Sequence, residues 1–153
     1  MSEAIELRTN EAPAALIAQH LRECDRQFVP PLSERVDLGA YADKLAARAE
    51  RVEAWSGGSL VGLVAAYLDG DAGQRAFVTS VSVLPRWQGR GIAARLLAQC
   101  AARAAQRGCR RVELEVHPAN ERALALYARA GFTLQHSGAA CAVLRLDLER
   151  SMP

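Results

Sequence analysis

Between Val78 and Gly108 the chain carries a stretch whose residue types and spacing can do chemistry. Val78, Ser80, Ser82 and Leu84 alternate with Thr79, Val81 and Val83, the pattern of a strand with one uniformly apolar face and one mixed face. Pro85 ends it, because proline has no amide proton for a ladder. Ile92, Leu96, Leu97, Cys100, Ala101 and Ala104 then recur at helical spacing, opposite Arg95, Gln99, Arg103 and Arg107. A helix N-terminus leaves several backbone N–H groups without partners and carries roughly half a positive charge. Glycines at 89 and 91 remove the Cβ atoms that would hold a phosphate off those amides, and Arg86 and Arg90 add cationic side chains. The run Gln88, Gly89, Arg90, Gly91, Ile92, Ala93, Ala94 therefore reads as a cradle for a diphosphate. On local sequence alone, a turn that merely needs glycine satisfies the same letters.

Gln88-x-x-Gly91-x-Ala93, after the strand end Val81-Ser82-Val83-x-Pro85, resembles the acetyl-CoA-binding signature of the GNAT N-acetyltransferases. That signature is Gln or Arg, two residues, Gly, one residue, then Gly or Ala. Leu114-Glu115-Val116, Asn120 and the run from Ala125 to Phe132 resemble the second half of the same family's core, in the right order over residues 59–135. The resemblance implies acetyl-CoA as co-substrate, no metal, and direct transfer of the acetyl group to a primary amine in a ternary complex. It also implies a mixed α+β fold, a mostly antiparallel central sheet with helices on both faces, whose fourth and fifth strands splay apart to admit coenzyme A.

Acetyl transfer from a thioester needs a held donor, hydrogen-bond donors for the oxyanion, a neutral amine and a proton for the departing thiolate. Backbone amides of Val81, Ser82 and Val83 that are not used in pairing are the expected oxyanion donors. Tyr127 is the expected general acid. A phenol with a pKa of about 10 stays protonated at neutral pH and can donate to a thiolate whose conjugate acid lies near 8.5, if coenzyme A resembles cysteine. Its alternative role is a core aromatic between Leu124 and Phe132. Asn120 is a coenzyme contact by the resemblance and, on its own position, the N-cap of a helix beginning at Glu121.

In Arg111 to His117, Val112, Leu114 and Val116 form the expected core face and leave Glu113, Glu115 and His117 on the other. Glu115 precedes Tyr127 at the spacing of the base in the family's ribosomal-protein alanine acetyltransferases, which implies it as the base. A solvated strand face, with an ordered water as base, is the other reading. Phe28, Tyr41 and Trp55 are the aromatics available to an acceptor site, or to ordinary core packing. The Phe28 to Leu45 stretch resembles acetyltransferases associated with bacterial surface-polysaccharide synthesis, which implies an amino-sugar nucleotide. A protein N-terminus, an amino acid or a small-molecule amine stays open as acceptor, and so does a homodimer.

Two other classes fit the same letters. Gly89-x-Gly91-x-x-Ala94 also satisfies a dinucleotide fingerprint, with Glu113 about 20 residues on as the ribose-binding acid of an NAD-binding oxidoreductase. Against it, Leu84 to Gln88 separate the strand from the first glycine. A non-catalytic acyl-CoA-binding module is the third class.

The elements that must position these residues follow from the rest of the chain. With 153 residues, 50% of them hydrophobic and 24% charged, one domain spanning 1–153 is expected, burying roughly two thirds of its unfolded surface. The net charge of +2 and the lack of a basic, aromatic-studded block do not indicate nucleic acid. No apolar run or leader pattern indicates a membrane, so the cytoplasm is the expected compartment. Cys24, Cys100, Cys109 and Cys141 and the scattered His20, His117 and His136 lack the spacing of a metal site or disulfide framework.

A short strand is expected at Ala4 to Thr9, a helix from about Pro13 with His20 on its apolar face, a break at Phe28 to Ser33, and a helix at Leu38 to Ala49. A hairpin follows, Arg51 to Trp55 and Ser59 to Leu68, with a turn at Asp69 to Gly73. After the central strand and helix come the strand at 111–117, the helix from Glu121, and strands around 132–137 and 140–148.

Overall fold

The computed structural model describes residues 4–68 and 74–148, so the turn expected at Asp69 to Gly73 lies outside the described residues. In chain order the elements are β1 (Glu6–Thr9), α1 (Ala14–Glu23), α2 (Leu38–Arg48), β2 (Glu50–Ser56), β3 (Ser59–Tyr67), β4 (Arg75–Val83), α3 (Ile92–Gln106), β5 (Arg111–Val116), α4 (Glu121–Arg129), β6 (Thr133–Ser137) and β7 (Ala142–Asp147). The strands form one sheet in the order β1-β2-β3-β4-β5-β7-β6. Only β4 and β5 run parallel. Strand β3 is buried on both faces, with Val64 and Ala66 toward one core and Leu63 and Ala65 toward the other. Such a sheet needs helices on both sides. Helices α3 and α4 cover the first face, and α1 and α2 the second. This is the mixed, mostly antiparallel architecture expected. No helix among the described residues is long and apolar enough to cross a membrane.

Gly62 sets how closely α3 approaches the sheet. A Cβ there would lie 2.9 Å from Ile92 Cγ2 and 3.0 Å from Leu96 Cδ1, so only glycine lets the start of α3 rest on β3 without displacing those side chains.

The simple alternation expected for β4 is corrected by a bulge. Ala65 pairs with Ser80 and Ala66 with Val78, which leaves Thr79 unopposed on β3. An extra residue reverses the facing of everything beyond it. Val78 therefore packs in the α3/α4 core, while Ser82 points the other way, to His20 on α1. His20 is 1% exposed. Its Nδ1 lies 2.9 Å from the Leu60 carbonyl, which can only accept, so Nδ1 carries the proton. Nε2 accepts from the Ser82 hydroxyl at 2.9 Å. Burial pulls this imidazole down from 6.5 to about 4.

The second core is tied together by an ion pair that the sequence does not advertise. Glu53 is fully buried and accepts from the backbone N–H groups of Glu11 (3.1 Å) and Ala12 (3.0 Å), from Trp55 Nε1 (3.1 Å) and from Arg51 Nε (3.2 Å). Arg51 in turn donates to the Ala46 carbonyl in the last turn of α2 and to the Leu45 carbonyl, which also takes the Ala49 N–H. One carboxylate thus fixes the chain entering α1, and its partner fixes the end of α2.

Two stability measurements check these contacts. Glu53→Ala leaves a buried guanidinium without its counter-charge and the buried Ala12 N–H and Trp55 Nε1 without their acceptor, and is expected to lower unfolding free energy by about 3–5 kcal/mol in denaturant titrations, with Glu53→Gln losing less. For His20, the folded state holds its proton less tightly than the unfolded chain. Between pH 6.5 and about 4 the unfolded state therefore binds more protons, and stability falls as pH drops through that window. The fall attributable to His20 is about 3 kcal/mol, read as convergence of the wild-type and His20→Gln stability curves from pH 7 to pH 4.

Candidate active site

Strands β4 and β5 stay paired only from Arg75–Arg111 to Val78–Leu114, although β4 continues to Val83 and β5 to Val116. Beyond that point each is held by its other neighbour: β4 by β3, and β5 along its whole length by β7. A gap opens between them. The Leu84 N–H donates to Val61 O on β3, so by alternation Val83 and Val81 turn their N–H and C=O groups toward the gap. The Val83 carbonyl is met there by the side-chain amides of Gln27 (2.6 Å) and Gln88 (3.2 Å). The gap belongs to a cavity of about 1870 Å³ that Val81, Ser82 and Val83 line.

At the end of β4 a 3-10 turn, Pro85–Trp87, delivers the chain to Gln88 and the two glycines. Gly89 and Gly91 have φ of 79° and 77°, in the left-handed region that costs other residues energy. No heavy atom lies within 4 Å of a Cβ built on either, so the space beside them is open. Gly91 is the N-cap of α3 and has no side chain with which to cap it. The first N–H groups of α3, among them those of Ile92, Ala93 and Ala94, thus face the cavity without a side-chain acceptor. Arg90 stacks on the buried Trp87 ring at 4.6 Å and Arg86 at 5.9 Å, holding positive charge over the loop. An anion such as a diphosphate fits this cradle by charge, hydrogen bonding and space.

Tyr127 enters the cavity from α4, on the same face of the sheet as α3. Its ring is 8% exposed and packs edge-on to Phe132 at 5.8 Å, so it is both core aromatic and cavity wall. Burial pushes the phenol up to about 12, which keeps it a proton donor throughout the neutral range. Asn120 is the N-cap of α4: its Oδ1 accepts from Ala123 N at 3.2 Å. Its Nδ2 reaches the Gln27 carbonyl at 3.4 Å, so one amide both caps the helix and ties it to the segment after α1.

Glu113, Glu115 and His117, expected together, are put to separate uses. Glu113 is held by Arg75 (3.1 Å) and Arg111 (3.0 Å). Partial burial works against ionisation, but these two guanidiniums hold its carboxyl below the usual range. His117 Nδ1 accepts from Ala119 N at 3.0 Å and shapes the turn into α4. Glu115 lies exposed at the end of β5, against the half-buried Cys141, whose thiol is pushed up by burial and by that carboxylate.

Phe28 and Tyr41 line the cavity, and Tyr41 donates its hydroxyl to Thr79 O at 3.1 Å. Trp55 takes the core-packing role open to all three, in the α1/α2 core with its Nε1 on Glu53, outside the cavity lining. Gln27 and Arg35 are cavity residues that the sequence reading missed. Their only signal was position, flanking the proline break.

Among the described residues, no three His, Cys, Asp or Glu side chains converge as a metal site would require. The dinucleotide alternative fails on topology. Its glycine turn and acid must share one end of a parallel sheet, whereas Glu113 sits opposite Phe77, in the half of β4 remote from the glycine loop, and is already ion-paired.

The profile of the Acetyltransferase (GNAT) family matches residues 15–132, and the chain belongs to that family. It is therefore an acyltransferase by class. No curated protein matches the sequence. Among solved structures it is similar to the GNAT domain of S. lividans PAT (26% identity, TM-score 0.78, 93% of this chain and 89% of that one). It is similar in fold to the Thermoplasma acidophilum PaiA N-acetyltransferase in complex with coenzyme A (13% identity, TM-score 0.75, 94% and 99%). The Escherichia coli ribosomal-protein-S18-alanine N-acetyltransferase also shares the fold (17% identity, TM-score 0.74, 97% of each chain).

The cap geometry of Asn120 sets an expectation of its own. Asn120→Ala should lower stability by about 1 kcal/mol, seen as an earlier thermal melt, and Asn120→Asp, which keeps the acceptor oxygen, should recover most of it.

Proposed function

We propose that this protein is an acetyl-CoA-dependent N-acetyltransferase that moves the acetyl group directly to a primary amine within a ternary complex. The observation that carries the reading is the open gap between β4 and β5, with the uncapped start of α3 beside it and the Tyr127 phenol on its wall. In this reading the coenzyme's diphosphate lies on the amides of Gln88 to Ala94, and its thioester arm runs along the free edge of β4. Backbone N–H groups of Val81 and Val83 receive the carbonyl oxygen as charge develops on it.

Glu115, directly or through one water, takes a proton from the incoming ammonium. The free amine attacks the acetyl carbon, a C–N bond forms, and collapse of the tetrahedral intermediate breaks the C–S bond. Tyr127 gives its proton to the departing thiolate, and the product amide loses the nitrogen's remaining extra proton to solvent. Asn120 contributes by fixing the start of the helix that carries Tyr127, beyond any contact it makes with the coenzyme.

Steady-state kinetics and binding test the roles separately. Tyr127→Phe should lower kcat by about 10²–10⁴-fold while leaving coenzyme A affinity, measured by calorimetry, near wild type. Near-normal turnover would remove Tyr127 from the mechanism. Because burial holds that phenol near 12, its ionisation should produce no loss of kcat/KM up to about pH 10. Glu115→Gln should lower kcat/KM by about 10²-fold. Wild-type kcat/KM in that variant would assign the base to an ordered water alone.

A further inference from the structure

The acceptor side of the gap can be located from strand register. Phe77 pairs with Glu113 and Glu115 with Val143, so Phe77, Glu115 and Val143 project from one face of the sheet. Tyr41 bonds Thr79 from α2, which places that face under α2, opposite the face of α3, α4 and Tyr127. The gap therefore joins two chambers. The cradle and the phenol belong to one, and Glu115, Cys141, Arg35, Tyr41 and Phe28 line the other.

In the rest of the sheet Glu50 is ion-paired with Arg103 and Arg107, Glu53 with Arg51, and Glu113 with Arg75 and Arg111. Arg35 and Glu115 both act on the Cys141 thiol, from opposite signs, yet neither forms an ion pair among the described residues. Arg35 lines the cavity with Phe28 and Tyr41, and Glu115 stands at the end of β5. A cation and an anion that line one cavity without forming an ion pair with each other, beside Phe28 and Tyr41, complement a ligand with the reverse charges.

We infer that the acceptor is a small zwitterion of the α-amino acid type, its carboxylate on Arg35, its amine facing Glu115 and its side chain against Phe28 and Tyr41. This rests on the acetyltransfer reading and narrows it. Glu115 is placed to receive the proton that the amine must lose, and Arg35 holds the carboxylate in a forked, charge-assisted hydrogen bond. Arg35 is thus a specificity-determining residue. The arrangement disfavours a protein N-terminus, which has no carboxylate beside its amine, and a simple alkylamine, which would leave Arg35 unused.

The test measures thiol release from acetyl-CoA with common α-amino acids, each beside its carboxamide and its decarboxylated amine, and with glucosamine 6-phosphate as a phosphate-bearing amine. Ratios of kcat/KM are compared between wild type and Arg35→Gln, so that differences in amine basicity cancel. The acid-to-amide ratio should fall by about ten- to a hundredfold in Arg35→Gln and recover in part in Arg35→Lys. Amides or alkylamines used as well as acids, a preference that survives Arg35→Gln, or selective use of glucosamine 6-phosphate would overturn this inference while leaving acetyltransfer standing. Thiol release with no member of the panel would overturn this inference, absence of coenzyme A binding by calorimetry would overturn the acetyltransfer reading as well, and the wild-type protein decides these outcomes even if a variant folds poorly.

Discussion

Four residue pairs join β4 to β5, and then the ladder stops. The rest of the site depends on that limit. A continuous ladder would pair Val81 and Val83 with β5, and no backbone edge would be free to meet a ligand. The causes are local. The bulge at Thr79 adds twist where pairing ends, and each strand is committed to a stronger antiparallel neighbour on its far side. Parallel pairing is slightly the weaker kind, so the sheet opens there rather than elsewhere.

An open edge leaves polar backbone groups that need partners. Two glutamine amides satisfy the Val83 carbonyl, and one of them, Gln27, is linked through its own carbonyl to the cap of α4. The segment after α1 thus spans the gap from β4 to α4 at a single residue. Behind it, Glu53 and Arg51 anchor the two helices that flank this segment to the middle of the sheet. The gap is held open by contacts that run through both layers. One layer bears the uncapped helix start and the other the separated charges of Arg35 and Glu115.

Much of this was readable from the residues, because period and punctuation report local structure well. The glycines at 89 and 91, the apolar stripe of α3 and the Asn-capped α4 are where spacing places them. The bulge was not readable. Alternation assumes one residue per rung, and nothing in Val78-Thr79-Ser80 announces an extra one, so the facing of Ser80 and Ser82 was misjudged. Trp55 takes the core role of the two open to it: an aromatic near the expected acceptor end fits a wall or a core, and its contact with Glu53 decides between them. Glu53 itself looked like one more charge on a strand. Its burial depends on Arg51 and on two distant amides, which only the tertiary fold brings together. Gln27 and Arg35 escaped notice because their place in the site comes from the cavity they share with β4, and no sequence window contains both sides.

The most direct measurement is a crystal structure of the protein grown with saturating acetyl-CoA. The account predicts diphosphate oxygens within hydrogen-bond distance of main-chain N–H groups between Gly89 and Ala94, with the thioester arm lying between β4 and β5. Coenzyme bound on another surface, or β4 and β5 closed into a continuous ladder with no coenzyme between them, would contradict it.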